Sequence, residues 1–264
     1  MERSFQDLIA YIEQKTAFKC QSYKTKPLKR RIMVRMRALG LSDFSQYHTY
    51  LENNETEFSK LVDVLTINLS YFFRNPETFE YLQSSIFPQL KKGRVLTFWS
   101  AGCARGEEPY SLAIVAAETG VLDSVTIYGT DIDMSVLRKA EAAIYPQSVL
   151  QYVPKAIVNK YFESTDNGFR VKQELRSHVH FINVNLFETP SFGPCDLIVC
   201  RNVFIYLDRQ AQSLVLHNFY DKLKPGGYLM IGKVELLLGI PEAKLFEIVH
   251  RTEHIYKKIE APQH

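Results

Sequence analysis

Two glycines and two glutamates stand together in the segment WSAGCARGEEPYSLA, where an apolar run gives way to a polar turn. Gly102 and Gly106 permit a tight turn and a close approach of a ligand to the backbone. Glu107 and Glu108 follow at the expected first turn of a helix, where pyrophosphates normally bind. Two carboxylates would repel such an anion, so the segment favours a cationic ligand. The alternative is that these acids only complement the helix dipole.

S-adenosylmethionine fits this requirement, because it has no phosphate and carries a sulfonium and an ammonium. Asp131, which ends the apolar run VTIYGT, can accept hydrogen bonds from both ribose hydroxyls of an adenosyl cofactor. Asp133 is the alternative acid, although it lies closer to the expected cap of the next helix.

Polar residues also follow two later apolar runs. Asn185 and Leu186 come after HVHFINV and can offer an amide and an apolar surface to an adenine ring. Arg201 and Asn202 follow CDLIVC, and Tyr206 comes shortly after them. Each could be a simple strand cap, but together these residues outline a site.

The elements that must position these residues alternate along the chain. Apolar runs with strand character separate helical patterns from about residue 94 onward, and FEIVH and EHIYKKI predict a closing hairpin. Such alternation predicts an α/β fold with a Rossmann-like, doubly wound sheet, which binds ligands at the carboxyl ends of its strands. A turn at Asp166-Asn167-Gly168 predicts a small antiparallel β insertion at about 160–182, although a simple surface excursion is the alternative.

Residues 1–74 are expected to form an all-helical N-terminal domain, with the α/β domain at 75–264. In residues 1–74 apolar residues recur at helical spacing, and Gly40 and Ser42 are expected to end one helix and begin the next. Asn75 and Pro76 predict the start of a helix that runs to about Phe87.

Composition narrows the class of protein further. The chain has 264 residues, of which 46% are hydrophobic, which excludes a disordered chain. Apolar runs fall short of a membrane span, the polar start MERSFQDL is unlike a signal peptide, and the four cysteines lack metal-ligand spacing. We therefore expect a cytoplasmic protein without a metal and without membrane insertion.

The net charge of +3 hides a concentrated basic segment. Seven of the 32 Lys and Arg residues lie in KTKPLKRRIMVRMR, residues 24–37, which contains no acid. The other 25 basic residues are outnumbered by 29 acidic ones. This helix is expected to present Lys26, Arg30 and Arg37 as a stripe away from its apolar face.

Several long motifs identify a family. WSAGCARGEEPYSLA, GTDID, DLIVCRNVFIYLD and LKPGGYLMIG, preceded by TINLSYFFR, resemble the CheR-type chemoreceptor glutamate methyltransferases over nearly the whole chain. The resemblance implies a methyltransferase sheet, S-adenosylmethionine as cofactor with S-adenosylhomocysteine as product, and glutamyl methyl esters on receptor cytoplasmic helices in sensory adaptation.

The resemblance also implies site residues, position by position. The catalytic pair of the family, an arginine and a tyrosine, falls on Arg74 and Tyr206. Its cofactor contacts fall on Asn68, Ser70, Arg74, Glu107, Asp131, Asn185, Leu186, Arg201 and Asn202.

This chain departs from the family pattern at two places. Ala104-Arg105 replaces the usual small polar pair before GEE and adds a cation near the cofactor turn. The strand that commonly ends Gly-His-Ser-Glu ends here with Gly232-Lys233-Val234-Glu235. Both departures concern substrate fit and rate, and neither removes a predicted site residue.

The implied reaction is an in-line methyl transfer from a sulfonium to a carboxylate oxygen. A glutamate is ionised at pH 7, so the reaction needs no general base. Arg74 is expected to orient the substrate carboxylate, and Tyr206 to hydrogen-bond its second oxygen or orient the methyl. For Arg74, a salt bridge to Glu77 or a contact with the cofactor carboxylate alone is the alternative.

The basic stripe is expected to dock acidic, glutamate-bearing receptor helices through complementary charge. Nucleic acid is the other polyanion that such a helix could bind, but the site favours a carboxylate substrate and no nucleic acid is expected. The β insertion matches in position a small subdomain that captures a receptor C-terminal peptide in some family members. Here its loop is short, and a structural flap over the substrate cleft is the alternative.

Two rival functions stay open. A methyltransferase acting on RNA or a small molecule would use the basic helix for phosphates. A non-catalytic scaffold that senses the cofactor is the other, suggested by Arg105 and Lys233.

Overall fold

The computed structural model describes residues 2–16, 18–66, 69–90 and 94–259. The chain divides into two compact units: residues 1–68 with 206–212, and residues 69–205 with 213–264. The domain boundary expected after residue 74 stays a prediction.

The first unit is helical, as predicted. Its helices are α1 (Glu2–Lys15), α2 (Thr25–Ala38), α3 (Phe44–Glu52) and α4 (Glu55–Thr66). Leu28 and Ile32 of the basic helix are buried, as their spacing predicts. The start of α3 differs slightly from the prediction, because Asp43 rather than Ser42 is its cap and accepts hydrogen bonds from the Ser45 and Gln46 amides.

Buried polar contacts also hold this unit together. The Glu57 carboxylate of α4 accepts hydrogen bonds from Arg35 at 2.6 and 2.9 Å and from the Tyr47 hydroxyl at 3.0 Å. Arg31 is buried and donates to the Leu65 carbonyl at 2.8 Å. Two of the seven basic residues at 24–37 therefore have partners within the helical unit.

The second unit contains a seven-stranded sheet in the order β6-β2-β1-β7-β8-β10-β9. Its strands are β1 (Leu96–Ala101), β2 (Val125–Asp131), β6 (Val179–Asn183), β7 (Cys195–Cys200), β8 (Leu223–Ile231), β9 (Phe246–His250) and β10 (Ile255–Lys258). The first five are parallel, and the last two form the predicted antiparallel hairpin. The α/β prediction is confirmed.

The connecting helices are α5 (Pro76–Tyr81), α6 (Glu107–Glu118), α7 (Met134–Ala142), α8 (Lys155–Tyr161), α9 (Gln173–Arg176) and α10 (Arg209–Lys222). The predicted extension of α5 to about Phe87 is present as a π-helical turn over Leu82–Ile86. Residues of α6 are buried over most of its length, as expected for a helix that packs on a sheet.

A small antiparallel sheet, in the order β3-β5-β4, confirms the predicted insertion. Its strands are β3 (Ile144–Tyr145), β4 (Phe162–Thr165) and β5 (Gly168–Val171). The helical pattern MSVLRKAEAAIY predicts that the preceding helix includes Ile144 and Tyr145. That prediction is wrong, because Ala143 adopts a left-handed conformation at φ 54° and ends α7 before them.

Two further findings concern the chain as described. None of its described helices is long and apolar enough to cross a membrane. Its four cysteines, Cys20, Cys103, Cys195 and Cys200, are free and buried.

Candidate functional site

One edge of the large sheet collects the polar turns of the second unit. Because β1, β2, β6, β7 and β8 run parallel, the residues that follow each strand emerge at the same edge. The registers of Ala101 with Thr130 and of Asp131 with Asn183 bring these strand ends level. The sheet therefore gathers predicted site residues that are far apart in sequence.

The turn after β1 is tied to the end of β2. The Gly102 and Cys103 amides donate to the Thr130 carbonyl at 2.8 and 2.9 Å. Gly106 has φ 90°, and a Cβ there would lie 2.9 Å from the Ala140 Cβ. This turn therefore needs glycine for both conformation and space.

Asp131 is held from both sides. Its carboxylate accepts hydrogen bonds from the Ala104 amide at 2.9 Å and from the Asp133 amide at 3.0 Å. Burial raises the pKa of Asp131 to about 6, and these two amides oppose the rise. Asp133 instead accepts from the Ser135 amide and caps α7.

Glu107 is the most unusual carboxylate of the edge. Its side chain is 1% exposed, and within the described residues its Oε2 has no hydrogen-bond partner. Burial raises the pKa of Glu107 to about 7, against the opposing effects of its own helix amide, Arg105 and the Ser70 hydroxyl. A buried carboxylate oxygen without a partner is costly, and a ligand that donates a hydrogen bond would remove that cost.

Glu108 has a different environment. It accepts from the Ser100 hydroxyl at 2.7 Å and lies 3.6 Å from the Arg201 guanidinium. Arg201 in turn donates to the Arg74 carbonyl at 2.6 Å and to the Asn75 side-chain oxygen at 2.7 Å. Burial lowers the pKa of Arg201, and Glu108 opposes that shift. These groups connect the turn before α5 to the end of β7.

Arg74 stands between two residues with left-handed backbone, Phe73 at φ 51° and Asn75 at φ 62°. The Phe73 amide donates to the Ser111 hydroxyl at 3.0 Å, which fixes this turn on α6. The Arg74 guanidinium itself makes a long contact, 3.4 Å, to the Leu69 carbonyl. Glu77, the alternative partner from sequence, contacts Lys233 at 3.1 Å.

Asn202 also has left-handed backbone, at φ 62°. Its amide donates at 2.8 Å to Glu235, a 2% exposed carboxylate that also accepts from the Gly232 amide at 2.6 Å and the Ile205 amide at 3.2 Å. From sequence, Glu235 is only the last residue of the motif Gly232-Lys233-Val234-Glu235, and this role was not predicted. A carboxylate three residues after a strand-end glycine was the available signal.

The adenine-side candidates follow β6. Asn185 is buried, and its side-chain oxygen accepts from the Phe187 amide at 3.1 Å, while Leu186 is half-buried. Both follow shortly after Asn183, the last residue of β6, at the same edge of the sheet as Asp131.

The remaining predicted residues belong to the first unit or are not described. Asn68 lies outside the described residues. Tyr206 belongs to the helical unit, where its ring centroid lies 4.3 Å from the Arg31 guanidinium carbon. In the same unit Lys26, Arg30 and Arg37 of α2 are exposed.

The two departures from the family pattern have structural explanations. Arg105 is exposed, its carbonyl accepts from the Tyr145 hydroxyl at 2.6 Å, and its charge lowers the pKa of Glu107. Lys233 lies 3.1 Å from Glu77 and 3.0 Å from Glu253, so it forms a local ion-pair network.

The residues of this edge fit S-adenosylmethionine. Glu107 offers a buried oxygen without a partner among the described residues to a hydrogen-bond donor. The expectation that Gly102 and Gly106 leave space for a ligand is wrong, because Val203 and Ala140 fill the space beside them. No group of three or more metal-ligating side chains occurs within the described ranges. A parallel sheet with polar residues at the carboxyl ends of its strands is the arrangement in which Rossmann-like folds bind ligands.

Comparisons with known proteins identify the family. The description "CheR methyltransferase, SAM binding domain" matches residues 68–255, and "CheR methyltransferase, all-alpha domain" matches residues 3–66. This chain belongs to the CheR methyltransferase family, and it is a methyltransferase with a domain for S-adenosylmethionine.

Curated relatives extend this result. The chain is 36% identical over 241 residues to a chemotaxis protein methyltransferase of Salmonella typhimurium, covering 88% of this chain and 83% of that protein. It is 34% identical over 227 residues to the protein of the same name from Borreliella burgdorferi, covering 80% of each. The corresponding Escherichia coli protein is 35% identical over 243 residues, covering 88% of this chain and 83% of that protein.

Proposed function

We propose that this protein transfers the methyl group of S-adenosylmethionine to glutamate side chains of chemoreceptors, giving glutamyl methyl esters. The observation that carries the proposal is Arg74, whose guanidinium makes one hydrogen bond among the described residues, the 3.4 Å contact to the Leu69 carbonyl. The planar guanidinium of an arginine with so few partners can pair with the carboxylate of a substrate. The names of the curated relatives support chemotaxis as the setting.

When bound, S-adenosylmethionine supplies an electrophilic methyl group, which moves from sulfur to a carboxylate oxygen as the C–S bond breaks. We infer that Glu107, Asp131, Asn185, Leu186 and Ser70 hold it. Asn202 and Asn68 are proposed as further cofactor contacts. Arg201 supports the site by fixing the Arg74 carbonyl at 2.6 Å. None of these residues has to act as a base, because the accepting glutamate is already ionised at pH 7.

Arg74 is proposed to orient the accepting carboxylate. Two features hold its backbone, the Arg201 hydrogen bond to its carbonyl and the left-handed residues on either side. Orientation of this kind contributes more than charge neutralisation, because a tightly neutralised carboxylate is a poorer nucleophile. Tyr206 is proposed to hydrogen-bond the second oxygen of the same carboxylate or to orient the methyl group.

Lys26, Arg30 and Arg37 are proposed to dock the acidic receptor helices. All three are exposed on α2, whereas Arg31 and Arg35 of the same helix have partners in the helical unit. Exposed positive charges accelerate the encounter with an acidic partner, and salt screens this attraction.

A receptor C-terminal peptide at the small sheet is a separate proposal. β4 lies at one end of the order β3-β5-β4, and its Glu163 and Ser164 are exposed. A peptide that adds a strand to this edge would bind through backbone hydrogen bonds. Titration with synthetic receptor C-terminal peptides tests it, and no binding would leave the insertion as a flap.

The function is tested with labelled S-adenosylmethionine and two substrates, receptor cytoplasmic fragments and RNA. We expect base-labile label on the receptor fragment. Label on RNA alone would establish the rival methyltransferase, and cofactor binding by calorimetry without turnover on either substrate would favour the sensing scaffold. Arg74→Ala should lose turnover but keep cofactor binding, whereas Arg138→Ala, on the exposed side of α7, should keep both.

A further inference from the structure

Three aliphatic side chains are exposed in the segment that follows β8. Val234, Leu236 and Leu238 are 68%, 63% and 79% exposed, and we call them the apolar rim. The residues between them, Glu235 and Leu237, are 2% and 4% exposed. The segment therefore alternates strictly, with one set of side chains inside and the apolar rim outside.

Hydrogen bonds fix this alternation. The Glu235 carboxylate accepts from the amides of Gly232, Asn202 and Ile205, and the Leu237 carbonyl accepts from the Ile240 amide at 3.1 Å. To bury the apolar rim, the segment would have to break the Glu235 contacts and leave buried amides unpaired. The fold thus presents these side chains to solvent, although exposure of aliphatic surface is unfavourable.

The apolar rim also lies beside the candidate site. It begins at the carboxyl end of β8, and Glu235 joins it directly to Asn202, the neighbour of Arg201. Lys233, the cation that immediately precedes it in sequence, is already paired with Glu77 and Glu253. A surface with this character suits an apolar partner and offers little to a phosphate backbone.

We infer that the apolar rim is the docking surface for the apolar flank of the substrate helix, next to the glutamate that accepts the methyl group. This inference rests on the proposed function. An amphipathic helix carries an apolar stripe beside its acidic face, and contact with that stripe would exclude water from the accepting carboxylate.

The test measures methylation of a receptor cytoplasmic fragment by full-length variants. Val234→Ser, Leu236→Ser and Leu238→Ser together should raise KM for the fragment about tenfold, because three apolar contacts are lost. Saturating turnover and S-adenosylmethionine affinity by calorimetry should stay at the wild-type level. Leu236→Met, which keeps an apolar side chain, should keep the wild-type KM.

A matched control is available at the opposite edge of the sheet. Val95 is 70% exposed and immediately precedes β1. Val95→Ser therefore removes a similar aliphatic group at the amino end of a strand, far from the carboxyl ends that form the candidate site. If Val234→Ser and the combined variant match Val95→Ser in KM while the wild type is active, the inference is overturned and the proposed function stands. If the wild type itself esterifies no receptor fragment, both are overturned.

Discussion

Glu107 and Glu235 are two buried glutamates at the same edge of the sheet, 1% and 2% exposed, and burial raises the pKa of both. Glu235 accepts hydrogen bonds from the amides of Gly232, Asn202 and Ile205. Glu107 keeps an oxygen without a partner in the described part of the chain. The same side chain at similar burial therefore has two different environments.

The hydrogen-bond donors around a buried carboxylate indicate which role it has. Where the backbone supplies donors from several segments, the carboxylate replaces secondary structure and stabilises a loop. Where one oxygen is left without a donor, the folded protein carries a cost that a ligand can remove. Glu235 thus belongs to the architecture, and Glu107 is the better candidate for a ligand contact.

The largest expected effect is on stability at Glu235. Glu235→Gln places an amide against the three backbone donors, so we expect the free energy of unfolding to fall by about 3 kcal/mol. Urea denaturation measures it, with Glu247→Gln on the exposed side of β9 as the matched control. A loss no larger than that of the control would show that Glu235 does not anchor the loop.

Glu107 should behave in the opposite way. Glu107→Gln removes a raised-pKa carboxylate, so unfolding in urea should change little, while affinity for S-adenosylmethionine falls about 30-fold, or about 2 kcal/mol. Calorimetry measures the affinity, with the exposed Glu141→Gln of α7 as control. Unchanged affinity together with lowered stability would show that Glu107, like Glu235, has a structural role and does not contact the ligand.

The environment of Glu107 can be predicted from the sequence better than that of Glu235. The glycines, the helix start and the strand order follow from local patterns, so the turn before Glu107 and the edge that holds Asp131 and Arg201 could be located. Glu235 was not assigned, because two of its three donors, the Asn202 and Ile205 amides, lie at least thirty positions earlier in the chain. Tertiary structure alone also separates Glu108, paired with Arg201, from its neighbour Glu107.

Ile144 and Tyr145 show the other limit of local patterns. Helical periodicity runs through them, but the left-handed Ala143 ends the helix and the two residues pair with β5. Their alternative structure depends on residues 169–170, which helical spacing does not reveal. The basic stripe, in contrast, follows from spacing alone, and Lys26, Arg30 and Arg37 are exposed as that spacing indicates.

A smaller effect is expected in the pH dependence of S-adenosylmethionine binding. Because the pKa of Glu107 is about 7 and a cationic ligand needs the ionised form, affinity for S-adenosylmethionine should fall about tenfold from pH 8 to pH 6. Glu107→Gln should flatten most of this dependence, and ionisation of Asp131 at about pH 6 should leave a weaker decline below it. An equally steep profile in Glu107→Gln would contradict the assignment.

The ligand-free protein should respond with the opposite sign. Between the ordinary glutamate value of 4.5 and about 7, folded Glu107 binds more protons than unfolded Glu107, so its contribution to stability declines as pH rises. The difference in unfolding free energy between wild type and Glu107→Gln should therefore shift against the wild type from pH 5 to pH 7.5. Urea denaturation at the two values checks the direction.

The smallest effect is expected from Arg105. Its charge lowers the pKa of Glu107, so Arg105→Ala should move the midpoint of the affinity profile upward by about 0.3 pH units, as expected for an exposed and solvent-screened charge. Arg105→Lys keeps the charge and should keep the midpoint. A downward movement in Arg105→Ala would show that Arg105 acts on another group.

The helical unit is discontinuous along the chain, because residues 206–212 belong to it. Ribosomal synthesis delivers α1 to α4 first, and Tyr206 follows only after most of the sheet has been made. Until then the Arg31 guanidinium lacks the ring that lies over it, and Tyr23 lacks its bridge to Leu207. The part of the protein that is translated first is thus completed late, and its final contacts form only after β1, β2, β6 and β7 have left the ribosome.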